Sequence, residues 1–125
     1  MTPHIFNFRI AYADTDAGGI VYHARYIEIA ERARMDMFKD VNDSDGGFVI
    51  RKLSVKYLRP LRLGDAFQVE TRFIGHGAAT LDIEQKFVKD GEAYAVMTGT
   101  AAYVNKALKP VRIPEIWLKL GEKNE

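Results

Sequence analysis

From Ala13 to Phe38 the sequence ADTDAGGIVYHARYIEIAERARMDMF changes its periodicity once. It starts as a polar turn with two aspartates and paired glycines, then becomes a strongly periodic helical stretch, with Tyr22 and His23 at the junction. Nearly everything on either side reads as strand. One long helix among strands leaves few ways to close a core, because its apolar stripe must be buried against one face of a sheet. The loop that feeds this helix is rich in carboxylates and free N–H groups, so chemistry is expected there.

The flanking segments supply the sheet. Residues 5–12 alternate, with Phe6, Phe8, Ile10 and Tyr12 on one face and Asn7 and Arg9 on the other, as a half-buried strand does. Gly18 and Gly19 open backbone angles that other residues resist. From about Ala24 the apolar positions take helical spacing at Tyr26, Ile27, Ala30, Ala33, Met37 and Phe38, and Glu28–Arg32 is a favourable i,i+4 pair. The turn formers of Asp40 to Gly47 end the helix. A second strand, Phe48 to Arg59, stops at Pro60, which has no N–H for a ladder.

Three further strands follow. Residues 66–74 place Phe67, Val69, Thr71 and Phe73 on one face, and residues 79–89 place Leu81, Ile83, Gln85 and Phe87 opposite Asp82, Glu84 and Lys86. Asp90-Gly91 signals a tight hairpin. Residues 93–105 carry Ala93, Ala95, Gly99 and Ala101 on one face, small enough for a helix to lie close, with Tyr94, Val96 and Val104 on the other. Pro114 opens a short terminal helix, Glu115 to Leu120.

The expected class is α+β with the order β-α-β-β-β-β, in a single domain spanning residues 1–125. Short connections make the last four strands antiparallel neighbours. A single helix covers a five-stranded sheet incompletely. A homodimer or homotetramer with edge strands paired between copies is therefore expected.

Composition removes several kinds of chemistry. The chain has no cysteine, which rules out disulfides, thiolate metal sites and a Cys nucleophile. Its formal net charge of +1 gives no basic face for nucleic acid. The N-terminal MTPHIFNFRIAY has no apolar run, so neither a signal peptide nor a membrane span is expected, and a cytoplasmic location follows. The only serines, Ser44 and Ser54, lie in an acidic loop and in mid-strand, and neither occupies a G-x-S-x-G elbow. Hydrolysis by this chain would have to rest on carboxylate, histidine or metal.

Asp16 leads the candidates. It lies a few residues ahead of a helix start, where unpaired N–H groups and the helix dipole favour negative charge. Asp14 and Asp16 could equally cap the turn or the helix. A D-x-D metal reading finds no further ligand cluster, and the 42–47 loop fails as an EF-hand because Leu53 stands where a bidentate Glu is needed. His23 could be a general base or a structural residue, and its backbone N–H is placed as an oxyanion donor would be. Tyr22 is either core packing or a wall of a substrate pocket. Glu31 fits a solvated face, and His4 and His76 read as ordinary surface residues.

The run Asp14-Thr15-Asp16-Ala17-Gly18-Gly19-Ile20-Val21-Tyr22-His23-Ala24-Arg25-Tyr26, with Glu31-Arg32-Ala33-Arg34, resembles the hotdog-fold acyl-CoA thioesterases. The 4-hydroxybenzoyl-CoA thioesterase type is most similar, and within it the Tol-Pal-associated acyl-CoA thioesterases. The resemblance continues through Val55-Lys56-Tyr57-Leu58-Arg59-Pro60 and Gly64-Asp65. It implies a five-stranded antiparallel sheet wrapped around one helix, and dimers or dimers of dimers with active sites between subunits. It implies hydrolysis of an acyl-CoA substrate without a cofactor or metal. The catalytic carboxylate falls on Asp16, the N–H that polarises the thioester carbonyl on His23, and the substrate contacts on Gly19 and Tyr22.

Two features depart from the family pattern. The Phe38 to Phe48 connection is short where relatives shape the acyl pocket. The turn Gly75-His76-Gly77-Ala78-Ala79 lacks the Lys or Arg that in some relatives holds the CoA phosphates, which leaves Arg59, Arg62 or Lys86 for that task. Two rival readings remain, a non-catalytic acyl-thioester binding or scaffold protein of the same fold, and a hotdog dehydratase, whose helix-start block differs.

Overall fold

A computed structural model describes residues 2–123. In chain order it contains β1 (His4–Arg9), α1 (His23–Phe38), β2 (Gly46–Tyr57), β3 (Ala66–His76), β4 (Thr80–Lys89), β5 (Glu92–Asn105) and α2 (Glu115–Lys123), with a 3-10 turn at Tyr12–Asp14. The expected β-α-β-β-β-β order and the terminal helix are both present, and that helix runs past Leu120 to Lys123. Among the described residues no helix is long and apolar enough to cross a membrane.

All five strands form one antiparallel sheet in the spatial order β1-β3-β4-β5-β2. This corrects the expectation that β2 neighbours β3. Strand β2 pairs with β5, Leu53 opposite Gly99, while β3 pairs with β1, Phe8 opposite Phe67. Residues 58–65 can span roughly 25 Å, and crossing three strand spacings needs only about 14 Å, so the connection is long enough to carry the chain across the sheet end. Two backbone bonds hold it on the way, from the Leu58 and Arg59 N–H groups to the Tyr94 carbonyl at 2.9 and 3.0 Å. The β4–β5 hairpin turns as expected at Asp90 and Gly91, both with positive φ (51° and 77°), as a type I′ turn requires.

Helix α1 lies on one face of the sheet and buries Tyr26, Ile29, Ala30, Ala33, Arg34 and Met37. The stripe is therefore rotated from the expected one: Ile29 is buried where Ile27 was expected, Phe38 is half-buried, and an arginine takes part. The sheet meets the helix with Val69, Phe87, Ala95 and Met97, and Phe67 stacks on Phe87 at 5.7 Å. Gln85 anchors the contact, donating to the Ala30 carbonyl at 2.9 Å and to Thr71 Oγ1 at 3.1 Å. Gly99 is small for β2 rather than for the helix, since a Cβ there would stand 2.8 Å from Leu53 Cδ2.

A second cluster of Leu81, Ile83, Tyr103, Ile113 and Trp117 fixes α2 at the far end. Asp43 latches it, its Oδ2 accepting from Trp117 Nε1 at 2.8 Å and from the Tyr103 hydroxyl. Two smaller expectations are also corrected. Tyr12 does not continue the inner face of β1, because the chain enters its 3-10 turn there and the ring is 82% exposed. His4 is no isolated surface residue: its Nε2 lies 2.9 Å from Asp36 Oδ2 and ties β1 to α1.

Candidate active site

The loop ahead of α1 is a tight hairpin. Thr15 and Val21 bridge across its base, Asp16 N–H donates to the Ile20 carbonyl at 2.8 Å, and Gly19 N–H donates back to the Asp16 carbonyl at 3.0 Å. Gly19 has φ +78°, which a residue with a Cβ adopts only under strain. The hairpin docks on the 58–65 connection through Val21 N–H to the Leu61 carbonyl, Leu63 N–H to the Gly19 carbonyl, both at 3.0 Å, and an Ile20–Arg62 bridge. Tyr26 completes the seat, its hydroxyl accepting from Leu61 N–H at 3.1 Å.

The two aspartates separate into different roles. Asp14 is buried: its Oδ2 accepts from Ala11 N–H at 2.8 Å and its Oδ1 lies 3.4 Å from Arg25 Nε. Arg25 reaches back from the helix to do this, also donating to the Ala13 carbonyl at 2.7 Å and to Glu28 at 2.5 Å. Asp14 is the structural aspartate. Asp16 is exposed at the hairpin tip, where Oδ1 accepts from Gly18 N–H at 2.8 Å and Ile20 N–H at 3.2 Å. Among the described residues no hydrogen bond engages its Oδ2. Asp16 is therefore a turn cap with one oxygen and an available carboxylate with the other.

Helix α1 begins at His23 with Tyr22 as its cap residue, and no side chain caps it. No acidic residue sits in its first turn, so its positive end is not neutralised from within the helix. Tyr57, at the end of β2, fixes this start from the other side. Its hydroxyl donates to the His23 carbonyl at 2.8 Å and its ring lies 4.7 Å from the imidazole. Burial pushes the Tyr57 and Tyr26 hydroxyls above the usual phenol value, keeping both rings neutral, Tyr57 as a donor to His23 and Tyr26 as an acceptor from Leu61. A recess of about 190 Å³ opens here, lined by Ile20, His23, Tyr57, Leu58, Arg59 and Pro60.

Asp16 and His23 therefore sit on one loop-and-helix unit without touching. Hairpin pairing sets Asp16 beside Ile20, three residues short of His23, and no hydrogen bond joins the carboxylate to the His23 N–H. Gly19 lies at the hairpin turn, and Tyr22 is half-exposed and outside the core. Sequence reasoning did not single out Tyr57; an aromatic just ahead of the proline that ends a strand was the available signal. Of the basic candidates, Arg59 lines the recess and is paired with Glu92 at 2.6 Å. Arg62 is bridged by its backbone to Ile20, and Lys86 lies 3.8 Å from Glu84 on the outer face of the sheet. Among the described residues no group of three His, Asp or Glu side chains could hold a metal ion.

The chain is similar to known proteins in sequence and in fold. The pattern of the thioesterase-like superfamily matches residues 10–119. Acyl-CoA thioesterase YbgC of Haemophilus influenzae is 34% identical over 119 residues, covering 88% of each chain. The acyl-CoA thioester hydrolase YbgC of Escherichia coli is 38% identical over 87 residues, 64% of this chain and 65% of that one. The solved structure of a probable thioesterase from Bartonella henselae superposes with a TM-score of 0.84 at 30% identity, over 90% of this chain and 100% of that one. The five-stranded sheet wrapped on one helix is the hotdog fold of these thioesterases.

Proposed function

We propose that this chain, which belongs to the thioesterase-like superfamily and is a thioester hydrolase, hydrolyses acyl-CoA to the free acid and CoA. Overall the acyl carbon gains a water oxygen, the C–S bond breaks and the sulfur leaves as thiolate. Water either attacks directly, giving its proton to a carboxylate, or hydrolyses the anhydride formed when that carboxylate displaces the thiolate. A thiol has a pKa near 8.5, so it departs without a strong general acid. One carboxylate and one oxyanion donor are then enough. Asp16 is the nucleophile or the general base. The His23 N–H at the uncapped helix start receives the charge that develops on the carbonyl oxygen, a contribution of typically about 3 kcal/mol.

One observation carries this reading: an exposed aspartate with a free carboxylate oxygen shares a rigid hairpin with a helix start that no side chain caps. Gly19 and Tyr22 border the same loop and contact substrate. Arg59, in the wall of the recess, is the basic residue best placed for the CoA phosphates.

Strand β2 is the long edge of the sheet and carries exposed Val49, Ile50 and Tyr57, the kind of edge that pairs with another chain. The assembly in this reading is a homodimer or homotetramer, and sedimentation showing a stable monomer overturns it.

A thiol-release assay over short, long and aromatic acyl-CoAs tests the function. Turnover that disappears in Asp16→Ala supports it. Saturable binding with no turnover favours the non-catalytic acyl-thioester binding protein.

A further inference from the structure

Away from the loop, a second cavity of about 370 Å³ opens between α1 and the β2–β5 end of the sheet. Its walls are apolar, built from Met35, Phe38, Phe48, Ile50, Ile83 and Trp117, with exposed Glu31 at the mouth. Arg34 also lines it. The same side chain borders a void of about 10 Å³ with Gln85, Leu53 and Met97, so the guanidinium stands between the cavity and the core.

Arg34 is 9% exposed. Among the described residues its side chain makes one hydrogen bond, Nη1 to Gln85 Oε1 at 2.9 Å, and no carboxylate lies within 4 Å of it. Gln85 is oriented to present only its Oε1 to Arg34, because its amide N–H groups are turned to Ala30 and Thr71. Burial pulls the Arg34 pKa below its usual value and the Glu31 charge only partly opposes this. An arginine nonetheless does not shed its proton in a protein. The guanidinium has a single neutral acceptor and lines the open cavity, where its remaining N–H donors are set in the planar fork that binds a carboxylate through two parallel bonds.

We propose that this cavity is a binding site for a free carboxylic acid with an apolar body, the carboxylate paired with Arg34 and the body packed on Phe38, Phe48 and Trp117. The volume lies in the range of small-molecule sites, and the site has the usual composition of apolar walls with one orienting polar group. The proposal does not depend on the role of Asp16. On the helix axis Arg34 lies eleven residues beyond His23, about 16 Å from the reacting end.

Trp117 is the only tryptophan, so its emission reports occupancy of this cavity directly. The full chain is titrated with decanoate and, as a neutral analogue of equal length, with decan-1-ol. A saturable change with decanoate at least tenfold tighter than with the alcohol is expected. Arg34→Met should erase that preference while Asp16→Asn keeps it. Equal affinity for acid and alcohol overturns the proposal, as does the absence of saturable binding, loss of acid binding in Asp16→Asn, or a preference that survives in Arg34→Met. If Arg34→Met does not fold, the acid-against-alcohol comparison on the unaltered protein decides between the two outcomes.

Discussion

The Tyr57 hydroxyl donates to the carbonyl of His23 at 2.8 Å and so ties the end of β2 to the first residue of α1. The two residues are 34 apart in sequence, and the bond joins the long sheet edge to the helix start proposed to hold the oxyanion. Tyr57→Phe keeps the ring against His23 and Tyr26 and removes only this bond. The expected cost is about 1 kcal/mol, which is roughly a fivefold loss of kcat if the transition state bears it all. Steady-state kinetics read this as a fall in kcat with KM nearly unchanged. A rise in KM alone would place Tyr57 in binding instead.

Asp16 combines a turn cap with a free oxygen, and the two can be separated. Asp16→Asn keeps a carbonyl oxygen to accept from Gly18 and Ile20, so the hairpin and the melting temperature should hold. Activity should fall by on the order of 10²- to 10⁴-fold, the usual contribution of a positioned base or nucleophile. Thermal denaturation beside thiol release checks both halves. A variant that melts early marks Asp16 as structural.

The latch on α2 makes stability depend on pH at both ends. Hydrogen bonds from Tyr103 and Trp117 hold the Asp43 carboxyl below its ordinary value. Its stabilisation is therefore complete above the unfolded value near 3.9 and fades as pH falls through the lower folded one. Tyr103 is pushed up to about 12, chiefly by burial and then by Asp43. Its contribution is full below its unfolded value near 10 and is lost as pH rises through about 12. Asp43→Asn should lower the urea midpoint at pH 7 and flatten its decline between pH 7 and pH 3. An unchanged decline would show that the acid sensitivity arises elsewhere.

Gln85 joins three elements from the middle of β4. Gln85→Leu fits the volume but leaves Thr71 Oγ1 and Arg34 Nη1 without this partner and strips the Ala30 carbonyl of its bond from the sheet, leaving it only its place in the helix ladder. Each buried polar group left unpaired costs about 1–3 kcal/mol, so a loss of about 3 kcal/mol or more is expected in denaturant unfolding. A loss under 1 kcal/mol would mean that water replaces the amide.

Local pattern determined the elements. Alternation at 67–73 and 81–87, helical spacing after Ala24, the Asp-Gly turn and Pro114 each act within a few residues, so each was legible in the chain alone. The Asp16 to His23 block was legible for the same reason: loop, carboxylate and helix start are contiguous. Tertiary structure decided what depends on distant partners. Strand β2 lies beside β5 because residues 58–65 are long enough to cross the sheet end, which neither β2 nor β3 encodes. Asp14 became structural and Asp16 available only once Arg25 folded back on the first. Arg34, polar in any helical wheel, is buried because Gln85 on β4 faces it, and Tyr57 meets His23 because β2 ends there. Periodicity reports which face of an element is apolar, whereas the charge or hydroxyl that meets it is set by another segment of the chain, eleven residues away for Asp14 and Arg25 and 51 for Arg34 and Gln85.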